Sequence, residues 1–347
     1  MSRVGIITFL HNDNYGSSLQ AYALQRVIRE LGHECEHLNY QPNMTEKVLN
    51  LLRSGNSPQR ILEGLQKRSV YVRRQGARDK SMAIPEFYAR RMEISRACKN
   101  LQELHQESQK YDILVCGSDQ IWNPSWLNPA YFLTFAAGGV RKVAYAPSLG
   151  VQSLPSAGKV RRMRKWIQGF SGISVREKEG AELLEKIAGI HADVMPDPVC
   201  LLSREEWSEI AAPPPSADPY MLCYFIGENE SYRHKVQEIS TESGLRVFEI
   251  PVSSAGYQSG EELLEGLGPE EFLGAIKGAS CICTDSFHGL VFGTLMGIRT
   301  EVMRRYRDDD PESKNSRVDH YLRIIREISP DEMRERGITW LKKQLEG

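Results

Sequence analysis

The sequence predicts an α/β protein with two units of parallel sheet. Short apolar runs of strand length alternate with stretches whose apolar residues recur at helical spacing. Several of those runs end in polar loops that lead into helices, as in a parallel sheet, rather than in hairpin turns. The alternation also starts afresh near residue 152, and 347 residues at 41% hydrophobic composition favour two domains of ordinary size over one core. The expected division is 1–151, 152–316 and a C-terminal tail, 317–347.

The first unit opens with the strand "RVGIITF", the polar loop "LHNDNYG" and a helix from about Ser17. Leu24, Val27, Ile28 and Leu31 mark its buried face, Ser17 with Gln20 makes a capping-box pattern, and Gly32 is a stop signal. "CEHLNY" completes a βαβ unit. Residues 44–110 read as a basic helical insertion, and 44–80 carry nine Lys/Arg against three Asp/Glu. A solvated surface is the ordinary reading of such a run; contact with an anionic acceptor at a membrane surface is the other. "YDILVCGSDQIWNP" and "RKVAYAPSLG" then repeat the pattern of a strand ending in a polar loop.

In the second unit "GISVRE", a helix over 178–188, "ADVMPD", "YMLCYFIG", a helix near 230–243, "RVFEIPV", a helix from Pro269, "SCICTD" and "RTEVM" follow in order. The tail from Val318 to Gln344 reads as two helices folding back on the domains.

Within "SCICTDSFHGLVFGTLMG", residues 280–297, a buried strand gives way to a helix that is apolar nearly all round, and His288 sits at the turn. In open α/β sheets such turns form the ligand crevice, and the helix start offers free N–H groups to a phosphate or carboxylate. Gly289, Gly293 and Gly297 fall on one helix face at a cost of roughly 1 kcal/mol each against alanine. Close packing explains the latter two, and Gly289 is expected to let a ligand approach the backbone.

Forty-four basic and 45 acidic residues leave a net charge of −1, which argues against nucleic acid as a partner. The N-terminal apolar segment is too short for a signal peptide, and no run approaches the roughly 20 apolar residues of a membrane span. A cytoplasmic protein is expected, with the basic segment as a contact to the inner face of the membrane. Seven scattered cysteines fit buried thiols in a reducing compartment, and no metal site is expected.

Taken together and in order, "ITFLHNDNYGSSLQAYAL", "YDILVCGSDQIWNP", "VAYAPSLG", "ISVREKEGAELL", "PDPVCLL", "TDSFHG" and "KNSRVDHYLRII" resemble the polysaccharide pyruvyl transferase family across nearly the whole chain. The resemblance implies a GT-B-like pair of Rossmann-like domains with an interdomain cleft. It also implies transfer of the pyruvyl group of phosphoenolpyruvate, as co-substrate and without other cofactor, onto a sugar of a cell-surface polysaccharide or its lipid-linked precursor. Carried over, the phosphoenolpyruvate-binding arginine falls on Arg176 and the active-site histidine on His288. One branch of the family has an arginine where this chain has Ser286; the helix N-terminus with Arg304, Arg305 or Arg317 would then supply the charge.

The residue chemistry suits that role. A guanidinium clamps a carboxylate or phosphate with two prongs, and Arg176 ends a strand; a structural ion pair with Glu177 or Glu179 is its competing reading. Ketal formation needs a group that titrates near neutrality, which histidine does, although a buried histidine satisfied by backbone is the alternative for His288. Ser286, Phe287 and Gly289 complete the expected donor site. Asn12, Asp13, Asn14, Ser118, Asp119 and Gln120 match sugar hydroxyls, and Tyr15 and Trp122 offer faces for a pyranose. Turn chemistry alone also explains such residues in loops. Either Asp13 or Asp119 is the expected base. A nucleotide-sugar glycosyltransferase, with the Gly227 loop lining a diphosphate pocket, and a non-catalytic glycan-binding member are the rival functions.

Overall fold

The computed structural model describes residues 1–54, 80–305 and 316–347. The first sheet holds β1 (Arg3–Ile7), β2 (Glu34–Tyr40), β3 (Ile94–Cys98), β4 (Ile113–Cys116), β5 (Arg141–Ala144), β6 (Gly172–Val175) and β7 (Asp193–Val194) in the order β3-β2-β1-β4-β5-β6-β7. The second holds β8 (Tyr220–Tyr224), β9 (Arg246–Glu249), β10 (Glu262–Leu263), β11 (Cys281–Thr284) and β12 (Arg299–Val302) in the order β10-β9-β8-β11-β12. Every pairing is parallel. The central strands β4, β8 and β11 are buried along their whole length, which is why they read as unbroken apolar runs.

Strand order reverses between β1 and β4 in one sheet and between β8 and β11 in the other. Those two switch points are where open α/β sheets place their ligands. The loops after β1, β4, β8 and β11 are "LHNDNYG", "GSDQ", "IGEN" and "DSFH", so topology alone gathers most of the polar residues singled out above.

Two expectations differ from the sheet pairing. The strand at 172–175 was expected to open the second unit, but β6 pairs with β5 and β7 with β6, so the first sheet runs to Val194 and the second begins at Tyr220. Parallel strands joined by crossover helices look alike whichever sheet they enter. The insertion over 44–110 was expected to be helical, yet "ISRAC" is strand β3, pairing with β2 at the sheet edge. As an edge strand with two exposed residues it lacks the apolar run that betrays a central one. Residues 55–79, most of the basic segment, lie outside the described residues.

Helix α1 (Tyr15–Glu30) begins two residues before Ser17, because Asn14 is the cap: its side-chain oxygen accepts the Ser17 N–H at 3.1 Å. Gln20 does not complete a capping box; its amide turns inward and donates to Thr8 Oγ1 and the Ser17 carbonyl. Tyr15 stacks on Phe272 with ring centroids 4.5 Å apart, and Trp207 meets both Tyr22 and Phe292, so one buried cluster joins the two sheets.

Past the second sheet, α4 (Ser316–Glu327) packs Tyr321 against Phe287 of α3 (Phe287–Met296). The last helix, α5 (Pro330–Glu346), returns to the first sheet: Trp340 donates to Asp193 at 2.7 Å, and Arg141 donates to the Leu345 carbonyl at 2.8 Å. The tail thus bridges both halves. All seven cysteines are buried and unpaired. Among the described residues no helix is long and apolar enough to cross a membrane.

Candidate active site

Arg176 follows β6 and precedes α2 (Lys178–Ala188), and it is only 3% exposed. Its Nη1 donates to Asp197 Oδ2 at 2.6 Å, and its guanidinium carbon lies 4.5 Å from the centroid of the Phe287 ring. Burial opposes the charge, and Asp197, Glu177 and Asp119 more than offset it. Nε and Nη2 are buried with no hydrogen-bond partner among the described residues. The ion pair considered from sequence exists, but its strong partner is Asp197; Glu177 is 3.7 Å away.

Asp197 escaped the reading of the sequence, where "PDPVC" was noted without a role. Its Oδ1 accepts the Val199 N–H, capping the 3₁₀ turn Pro198–Leu201, and that leaves Oδ2 for Arg176. Burial alone would raise this carboxyl; His288, Arg176 and the Val199 amide outweigh it and hold the carboxyl well below the usual range. An Asp-Pro pair capping a turn after a strand end was the available signal.

His288 enters from the other half. At the end of β11, Thr284 Oγ1 donates to the Tyr224 carbonyl and accepts the Ser286 N–H, and Ser286 Oγ caps α3 by accepting the Gly289 N–H. This turn directs His288 toward the first sheet, with Nε2 3.6 Å from Asp197 Oδ2 and no closer polar partner among the described residues. The imidazole packs on the backbone of Gly16. At Gly289 a Cβ would lie 2.5 Å from Thr284 Oγ1, so its bareness also serves packing against β11. Gly297 is the left-handed cap that ends α3, not part of the packing face.

The loops expected to bind an acceptor divide. Ser118 is held by Gln20 through its N–H and by the Ala146 carbonyl through its hydroxyl, 3.4 Å from Asp197 Oδ2. Asp119 accepts from the Ser17 hydroxyl, to which Asn12 donates in turn, and its charge acts on both Arg176 and Arg317. Asp13 is exposed, and Asn14 is spent on the helix cap. Neither aromatic offers a face: Tyr15 is buried against Phe272, and Trp122 is fully buried, stacked on Phe132 at 5.0 Å with its N–H given to the Tyr131 carbonyl. Trp122 closes the core beneath the loop, and Trp126, which is 41% exposed, is the tryptophan nearer solvent.

Of the three arginines offered as substitutes for the one missing at Ser286, the structure brings Arg317 to the site. From the start of α4 its guanidinium carbon lies 5.9 Å from the Phe287 centroid. With the Gln120 amide turned so that its oxygen faces the guanidinium, that oxygen accepts from Nη1 and Nη2 at 2.9 and 3.0 Å. Burial and the nearby Arg176 charge push Arg317 down to about 10, and its Nε is buried without a partner among the described residues. Arg305 is bound to Asp285 at 2.9 Å, and Arg304 lies beside Asp319.

Between the ends of β6 and β7 and helices α4 and α5 lies a cavity of about 240 Å³ whose lining includes Arg176, Glu177, Asp197, Phe287 and Arg317. His288 stands behind Phe287, outside that lining. Arginines from the first half and the tail thus flank one aromatic ring of the second half, with acid, base and hydroxyl groups from three loops around them.

This chain is similar to several solved structures. UDP-GlcNAc 2-epimerase from Methanocaldococcus jannaschii matches with a TM-score of 0.53 at 11% identity, over 99% of this chain and 100% of that one. The same enzyme from Neisseria meningitidis matches at 0.49 and 8% identity over 99% and 98%, and MurG from Acinetobacter baumannii at 0.41 and 10% over 99% and 92%. The fold is GT-B-like: two Rossmann-like domains facing a cleft. No curated protein matches the chain. A model of one family, polysaccharide pyruvyl transferase, matches residues 14–304, a span that includes Arg176, Asp197 and His288. The chain belongs to the polysaccharide pyruvyl transferase family.

Proposed function

We propose that the protein transfers the pyruvyl group of phosphoenolpyruvate onto two hydroxyls of a polysaccharide sugar, or of its lipid-linked precursor, as a ketal with release of phosphate. The observation that carries this is the pair of guanidiniums, Arg176 and Arg317, buried on Phe287 with three N–H-bearing nitrogens that have no hydrogen-bond partner among the described residues. Buried donors left unmade cost about 1–3 kcal/mol each, more when charged, and a small ligand with a carboxylate and a phosphate satisfies them. In this reading His288 moves a proton to or from the departing phosphate, and Asp119, already bound by the Ser17 hydroxyl, is a better placed base for the sugar than the exposed Asp13.

A second observation weighs against the nucleotide-sugar alternative. The amides of Ile226 and Gly227, which a diphosphate would use at the β8 loop, already donate to the Asp285 carboxylate at 2.7 and 2.8 Å, and Arg305 closes the same carboxylate. Calorimetric titration with phosphoenolpyruvate and with a set of nucleotide sugars tests the proposal. Binding of phosphoenolpyruvate alone is expected; tight binding of a nucleotide sugar with none of phosphoenolpyruvate would overturn it. In the full reaction His288→Gln is expected to lower phosphate release by about 10²–10⁴-fold while the protein stays folded.

A further inference from the structure

Glu177, the residue between Arg176 and α2, takes no part in holding an anion, yet it faces the same cavity. It is 4% exposed. The Ser148 hydroxyl donates to Oε1, whereas Oε2 is buried with no hydrogen-bond partner among the described residues. A carboxylate there would be the third around the site after Asp197 and Asp119, and it would repel any anionic donor drawn in by Arg176 and Arg317. A carboxylic acid would not, and Oε2 is free to carry the proton.

We infer that Glu177 enters the donor complex as a neutral acid and is the source of the proton that the methylene carbon of phosphoenolpyruvate receives. This rests on the function proposed above. The Glu177 O–H bond breaks and a C–H bond forms with the enol π pair, which leaves the central carbon cationic. The first sugar hydroxyl oxygen bonds to that carbon, and its proton leaves with the phosphate as the C–O bond to phosphate breaks with its electron pair. The second hydroxyl then closes the ketal, and its proton restores the Glu177 acid. Two hydroxyl protons enter; one ends on the methyl group and one on phosphate.

The surroundings agree. Burial raises the Glu177 carboxyl, Arg176, the Ser148 hydroxyl and Arg317 pull it down, Glu179 pushes it up, and the balance lies above the usual range. A bound anion would raise it further, so donor binding and protonation are coupled.

The coupling is measured without any acceptor. Phosphoenolpyruvate is titrated calorimetrically into wild type, Glu177→Gln and Glu177→Asp, in buffers of differing ionisation enthalpy from about pH 5 to 9, a span that covers a raised carboxyl. Wild type should take up more protons on binding than Glu177→Gln, by up to one, and Glu177→Asp should retain part of that uptake. Equal uptake by wild type and Glu177→Gln throughout overturns the inference. A wild-type infrared difference spectrum, with glutamate carboxyls isotope-labelled, needs no variant: a protonated carboxyl stretch is expected in the complex, and its absence overturns the inference equally. Failure of wild type to bind phosphoenolpyruvate at all is a different result, which removes the proposed function and this step with it.

Discussion

The ring of His288 rests on the backbone of Gly16 so closely that a Cβ on Gly16 would lie 2.0 Å from Nδ1. A residue of the first turn of α1 therefore sets the position of the histidine from the opposite half. Alanine at 16 must displace either the imidazole or the helix, an overpacking that costs about 1–3 kcal/mol. In a His288→Ala background the same change should become neutral or slightly stabilising, since alanine is the better helix former. Urea denaturation of the four proteins in this cycle decides it; additive costs would mean that the two residues do not touch.

Replacing Arg176 or Arg317 by lysine trades a planar fork for a point charge. Arg176→Lys and Arg317→Lys are each expected to weaken phosphoenolpyruvate binding about 10-fold or more, in keeping with about 1.5–3 kcal/mol for a hydrogen bond to a charged group. Titration calorimetry on the folded variants measures it. An unchanged dissociation constant for both would reduce them to partners of Asp197 and Gln120.

Trp122 should behave as a core residue. Trp122→Ala is expected to lose about 3–5 kcal/mol of stability, the usual cost of emptying a buried aromatic site. A variant of wild-type stability that fails only in acceptor use would restore the stacking role that burial denies it.

Acid should destabilise the protein partly through His37, which is fully buried on β2 with Nε2 3.0 Å from the Ala21 carbonyl. Burial pushes the imidazole down to about 4 from 6.5, against the pull of that carbonyl. The unfolded chain takes the proton first, so stability is intact above about pH 6.5 and drains away as the pH falls toward 4, by on the order of 3 kcal/mol in all. Denaturation midpoints at pH 7 and near pH 5 should lie further apart in wild type than in His37→Asn, with His33 and His320, also lowered by burial, supplying the remainder.

Element type was legible wherever a residue's burial is decided by its own segment. The apolar runs at 113–116, 220–224 and 281–284 are strands because both faces of a central strand are covered, and the helix at 178–188 shows its buried face through Leu183, Leu184 and Ile187. The polar edge strand at 94–98 carries no such mark and went unseen. Tyr15 and Trp122 show the opposite error, because nothing local tells an aromatic that stacks on sugar from one that stacks on Phe272 or Phe132.

What the sequence by itself determined was the alternation of strands and helices, the loops that end them, and the place of His288 at a strand-to-helix turn; Arg176 was singled out by the family resemblance. Which sheet β6 joins, that Asp197 ties Arg176 and stands beside His288, that Gly16 carries the imidazole and that Arg317 lies over Phe287 along with Arg176 were decided by the tertiary structure. The reason is physical: periodicity and capping act over a few residues along the chain. A charge pair between residues 176 and 197, or an imidazole against residue 16, depends on where separate crossovers return the backbone.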